Sequence, residues 1–278
     1  GGGGMGSDAQ KKEPSAPVTA AKSGRGSSEA YASSLQQQNG PRNQGLCDQL
    51  AVHMSTERLH AYAASAQEMA ASPKLVLSRY MLNMALCESL YPALQTCEIA
   101  LRNAIHAHLT ASLKREDWYE APHFQLTPWA TLEVRKAKEK IAKAGKPTTA
   151  GRVVAELQFG FWTSLFEAHY EQNTPFLPGG IKAVFPHLPK SLHKRKDRKS
   201  DLERVRTLRN RVFHHERIVH WTDLEAQHDK ILQIIGWISP PLQRMTAAMD
   251  RFQAVRQAGL APFLGHPFWD ADTKGAGV

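Results

Sequence analysis

The segment 93–113 constrains the fold more than any other. Leu94, Leu101, Ile105 and Leu109 recur at helical spacing, with Cys97 and Ala104 beside them, so one face of a long helix is apolar. No stretch alternates apolar and polar residues over a useful strand length. A helix with an apolar face and no sheet to cover it must be buried by other helices. The expectation is an all-α fold, a helical bundle built around two long antiparallel helix pairs.

Breakers and caps divide the rest of the chain. A first helix is expected over Ser55–Ala71, stopped at Ser72-Pro73. A second runs over Lys74–Leu90, with Pro92 breaking or kinking the path into 93–113. Residues 114–127 read as a loop. Thr127-Pro128 supplies a capping hydroxyl and a first-turn proline for a helix ending near Gly145. The next helix, about 151–172, carries the core stripe Val154, Leu157, Phe161 and Leu165. Residues 173–199 read as irregular. Ser200 with Glu203, and Thr222 with Glu225, have the spacing of capping boxes, which places one helix from Ser200 and another from near Asp223 to Pro240. A last helix is expected over 242–258.

Residues 1–45 are rich in Gly, Ser, Gln, Lys and Pro and too poor in apolar side chains to offset the entropy of ordering, so they read as a disordered tail. The opening GGGGMGS reads as an added leader or an early start, with Met5 as an alternative start, and no apolar core of a secretory signal follows. Residues 46–258 are then the folded domain and 259–278 a flexible tail. No run of apolar residues has the length of a membrane span. The cysteines Cys47, Cys87 and Cys97 are odd in number and lack metal-ligand spacing, which fits a reducing cytoplasm and free thiols, with Cys87 and Cys97 expected to be buried.

The chain carries 35 Lys and Arg against 26 Asp and Glu, a net charge of +9. Much of the excess lies between Lys190 and Arg211, where ten basic residues face three acids. A solvated loop would account for such a run. A nucleic-acid contact would too, with Lys194, Arg195, Lys196, Arg198, Lys199, Arg206 and Arg211 as the phosphate-binding candidates.

The run leads into LRNRVFHHE at 208–216. Arg209 and Asn210 fall in the last turns of a helix, and His214 and His215 at its end. This set suits RNA cleavage. The 2′-hydroxyl is a built-in nucleophile, a histidine can take or supply its proton, and an arginine can hold the phosphate oxygens in the transition state. No metal or other cofactor is required. On an unbroken helix, residues five apart diverge by about 140°, so Arg209 and His214 converge only if the helix bends or two chains face each other. The plain alternative is a basic helix C-terminus whose histidines favour the negative end of the dipole.

The same residues carry a resemblance. LRNRVFHHE resembles the R-x4-6-H motif of HEPN-type domains. The wider chain is similar to the bacterial Abi-like (abortive infection) family, through CEIALRNAIHAHL at 97–109, ELQFGFWTSLF at 156–166, FPHLP at 185–189, LRNRVFHHERI at 208–218 and GWISPP at 236–241. The resemblance implies an all-α HEPN-like fold, a homodimer, and a metal-independent endoribonuclease acting in phage defence or as a toxin. An antitoxin or a phage-derived trigger is the implied partner beside RNA. By position, Arg209 and His214 carry the catalysis and Asn210 lies beside them, with His215 an alternative. Arg217 stands where many relatives have proline. Glu98, Arg102 and Asn103 match a recurring Glu-x-x-x-Arg-Asn segment and are candidates, with Glu216, to line the site. Glu98 and Arg102 are also spaced to pair with each other.

Two other functions fit the sequence: a non-catalytic RNA- or nucleotide-binding module, and the protein-interacting half of a toxin–antitoxin pair. A metal site at His214-His215-Glu216 lacks helical ligand spacing. Arg102 to His108 repeats the arginine-to-histidine spacing, but in the middle of the 93–113 helix.

Overall fold

The computed structural model describes residues 41–172, 176 and 179–273. The expected disorder of 1–40 lies outside these residues, as does the irregular stretch at 173–175 and 177–178. The described residues form helices and no strand. None of these helices is long and apolar enough to cross a membrane.

The axis is one helix, Pro73–Leu113, here α4, preceded by α1 (Pro41–Met54), α2 (Thr56–His60) and α3 (Ala66–Ala71). Three expectations are corrected at this point. Ser55–Ala71 is not one helix. Ser55 sits at a positive φ of 64° and its hydroxyl accepts from the Arg58 amide, and Ser65 caps α3 by accepting from Glu68, so two serines restart the chain. Nor does Pro92 end a helix. Proline cannot donate to the carbonyl four residues back, a defect that costs about 3 kcal/mol in an isolated helix. Here Leu90, Ala93, Leu94 and Cys97 are buried on both sides of it, and their packing carries the helix through. Cys87 is half-buried rather than fully so.

The remaining helices pack around this axis. Thr127 caps α5 (Pro128–Lys143) as expected, accepting from the Ala130 amide. The expected helix at 151–172 is three: α6 (Ala150–Glu156), α7 (Phe159–Ser164) and α8 (His169–Gln172). Leu157 and Gln158 adopt extended backbone between the first two. The break lets Leu157, Phe159, Phe161 and Trp162 all be buried, which one straight helix face cannot do. Trp162 and Phe161 join Trp118 and Phe124 in an aromatic cluster beneath α4.

After α9 (Gly179–Val184) and a short 3-10 turn at Lys190–Leu192, α10 runs over Arg195–Phe213. Ser200 is therefore inside the helix, and its capping box is not formed. Glu203 instead pairs with Lys199 and Arg206 on the same helix. The basic run is a helix, not a loop. Next, α11 (Leu224–Ile238) starts where expected, but after Asp223, with no side-chain cap from Thr222. Ser239 caps α12 (Pro240–Met249), and α13 (Phe252–Ala258) follows, so the expected 242–258 helix is split at Asp250-Arg251.

The expected boundaries also shift. Helix α1 begins at Pro41, inside the stretch read as tail. Residues 259–273 are not a loose tail either: they form α14 (Ala261–Leu264) and a 3-10 turn at Pro267–Thr273. Trp269 from that turn is buried with Cys47, Leu59 and Leu77 in a second, smaller apolar cluster. Chain start and chain end of the described unit thus close over the N-terminal part of α4.

Candidate functional site

The LRNRVFHHE stretch ends α10 against α4. Arg209 Nε donates to Glu98 Oε2 at 3.2 Å, Phe213 meets Tyr91 with ring centroids 5.7 Å apart, and the Asn83 amide donates to the Glu216 carbonyl at 3.3 Å. Numbers rise along α10 as they fall along α4, so this stretch runs antiparallel to the axis helix. Leu208 and Val212 face the core, while Asn210, His214 and His215 face solvent. The alternation follows from the helical period: positions four apart share the buried side.

The end of α10 is a Schellman turn. The His215 amide donates to the Val212 carbonyl at 3.2 Å and the Glu216 amide to the Arg211 carbonyl at 2.8 Å. This turn needs a left-handed residue at its apex, usually glycine. The apex here is His215, with φ 58°. The loop from His215 onward is tied down from three sides. Asn83, itself buried, accepts from the Ile218 and Val219 amides at 2.7 and 3.0 Å. Arg58 donates to the His215 carbonyl at 3.2 Å, and Arg217 donates to the Ala61 carbonyl. Arg217, in the place where proline was noted, is thus a clasp between the loop and the end of α2.

The helix stays wound up to His214, whose amide still donates to the Asn210 carbonyl at 2.8 Å. The convergence asked of Arg209 and His214 within one chain is not formed: among the described residues no hydrogen bond joins Arg209 to Asn210, His214 or His215. Arg209 turns instead to Glu98, and its guanidinium lies 4.4 Å above the Phe213 ring. It is about one-fifth exposed, as is Glu98. Glu216 pairs with Arg211 at 2.8 Å, and Arg211 also lies over Trp221.

The expected Glu98–Arg102 pair is corrected. Glu98 reaches across to Arg209, and Arg102 donates to the Asn103 side chain at 3.3 Å. The Glu-x-x-x-Arg-Asn segment thus contributes one residue, Glu98, to the motif at the end of α10. His106 accepts from the indole of Trp118 at 3.0 Å and belongs to the core wall. Burial holds His106 and His108 below the usual histidine range, which keeps both rings neutral.

The basic run is less available than its charge implied. Arg198 is buried, ion-paired with Asp201 at 2.9 Å and stacked over Trp237 at 4.5 Å, so it is a structural residue and not a surface phosphate ligand. Arg195 pairs with Glu171, Lys199 with Glu167 and Glu203, and Arg206 with Glu203. Lys194 and Lys196 are exposed, and no carboxylate among the described residues pairs with them. The spacing of two of the acids signals this in retrospect: Asp201 lies three residues after Arg198, and Glu203 four after Lys199, both helical pairing distances.

Sequence reasoning passed over Arg58, Tyr62, Tyr80 and Asn83. With His215 they line a cleft of about 320 Å³ between α2, α4 and the end of α10. Only the Asn83-to-loop distance in sequence hid this, since nothing local marks a buried asparagine on a long helix as a loop anchor. Among the described residues no three His, Cys, Asp or Glu side chains group as a metal site would require.

No protein-family model matches the chain, and neither a curated protein nor a solved structure matches it.

Proposed function

We propose that the chain is a metal-independent endoribonuclease of the HEPN type, resembling the Abi-like proteins and acting in phage defence or as a toxin. The observation that carries this reading is the composition of one edge. Arg209 is held in place by Glu98 and Phe213, and Asn210, His214 and His215 stand in solvent at the same helix end. Such an edge has a positioned cation for phosphate oxygens and two imidazoles for proton transfer.

The chemistry would run through the substrate's own 2′-hydroxyl. A histidine takes its proton as the oxygen attacks the adjacent phosphorus, Arg209 neutralises the charge that builds on the phosphoryl oxygens, and a second histidine protonates the departing 5′-oxygen. The products are a 2′,3′-cyclic phosphate and a 5′-hydroxyl. Because Arg209 and His214 do not meet within one chain, the reading calls for a second copy. Tyr91 and Phe213 are 46% and 40% exposed and lie together beside Arg209, an apolar patch that a two-fold partner would cover.

The test is RNA cleavage in EDTA by wild type, Arg209→Ala and His214→Ala. Loss of about 100-fold or more in each variant is expected. Equal cleavage by all three proteins sinks the assignment. Binding of RNA with no cleavage by wild type would make this edge a binding module instead.

A further inference from the structure

The cleft behind His215 has a composition that the edge of α10 does not explain. Its walls are the rings of Tyr62 and Tyr80, packed edge to face with centroids 5.2 Å apart, and the thioether of Met84. At its mouth stand Arg58 and His215, and no carboxylate lines it. The cleft beside Tyr119 differs, being lined by Glu116, Asp117 and Glu120, and the adjoining cleft against Trp269, which shares Tyr80 and Met84, has no arginine or lysine in its lining. Aromatic walls with a cationic mouth match a flat, anionic ligand.

The cleft is also built rather than incidental. Both hydrogens of the Asn83 amide and its oxygen are engaged, by the Glu216 carbonyl, the Cys87 sulfur at 3.8 Å and the two loop amides. Arg58 reaches the carbonyl of His215. These ties hold His215 at the cleft in a left-handed conformation that disfavours any side chain. A glycine would form the same turn without strain. Burial pushes the Cys87 thiol up to about 11 and the Tyr62 hydroxyl up to about 12. Neither is an anion near neutrality, so the walls offer surface and hydrogen bonds, not a nucleophile.

We infer that this cleft binds one nucleobase of single-stranded RNA, stacked against Tyr80 and Met84, with the attached phosphate held at Arg58 and His215. The identity of the ligand as RNA rests on the function proposed above. The inference adds a recognition pocket to it: the strand is gripped by an unpaired base next to the histidine pair, so paired RNA is a poor ligand.

Isothermal titration of the full chain with 5′-AMP and 5′-UMP, neither of which has a bond to cut, separates the pocket from the chemistry. Saturable binding is expected, weakened about tenfold or more by Arg58→Ala and, independently, by Met84→Trp, which fills the cleft. Both positions are exposed, and circular dichroism checks that each variant is folded. No saturable binding, binding unchanged in both variants, or inorganic phosphate binding as tightly as the mononucleotides each overturns the inference. Cleft-dependent binding in a protein that cuts no RNA would leave the pocket standing and remove the enzyme reading. RNA cleavage with no mononucleotide binding would do the reverse.

Discussion

At His215 a left-handed backbone and the proposed ligand contact fall on one residue. A left-handed backbone costs a non-glycine residue on the order of 1–2 kcal/mol. Glycine relieves that strain but loses more freedom on folding, so His215→Gly is expected to stabilise the fold by about 1 kcal/mol, a rise of about 2–4 °C in melting temperature. The same variant should lose mononucleotide binding. A melting temperature that falls would mean that the imbedded turn depends on the imidazole, and that the strain argument is wrong. Arg198 makes the opposite point. Its place in a basic run marked it as a surface contact, yet its neighbours Asp201 and Trp237 keep it buried. A residue's charge says little about its exposure when a partner lies one helical turn away.

At the scale of elements, α4 is held to the segment after it by the hydrogen bond from the Trp118 indole to His106 Nδ1. That bond needs an unprotonated acceptor. Burial, the larger cause, lowers the folded-state pKa of His106 from 6.5, with Glu116 opposing. A histidine whose pKa is depressed on folding contributes stability above its unfolded pKa and loses it as pH falls through the folded value. His108, also lowered by burial, acts in the same direction. The melting temperature should therefore drop as pH falls below about 6.5, with Trp118 fluorescence reporting the change. His106→Gln should flatten part of that dependence. An unchanged profile in the variant would remove His106 from the account.

Element boundaries show where local signals failed. Thr127-Pro128 was legible because a cap and a first-turn proline act locally. The break that Pro92 allowed does not occur, because the burial of Leu90, Ala93 and Leu94 outweighs one missing hydrogen bond. Ser200 had the spacing of a cap, but the helix begins at Arg195, where Lys194 supplies no side-chain cap. That start depends on what Arg195 and Arg198 meet elsewhere, Glu171 and the Trp237 ring among them, and no local pattern encodes those contacts.

At the scale of the whole molecule, the apolar patch at Tyr91 and Phe213 bears on assembly. If a two-fold partner covers it, sedimentation velocity should show a concentration-dependent dimer in wild type. Phe213→Glu should shift the protein to monomer while circular dichroism stays unchanged, and RNA cleavage should fall with it. A wild type that remains monomeric at all concentrations, yet cleaves RNA, would require Arg209 and a histidine to act within one chain.

The sequence alone determined the all-α class, since helical periodicity and the lack of alternation are local properties of the chain. It also singled out 208–216, and its candidate Glu98 does lie against Arg209. The tertiary structure decided which charges remain exposed, that α4 is a single axis through Pro92, and that the segment 259–273 closes over it with α1. It also decided that Arg58, Tyr62, Tyr80 and Asn83 meet His215 around one cleft. The reason is separation: Asn83 and Ile218 are 135 residues apart in the chain, and only the packing of α10 along α4 makes them neighbours.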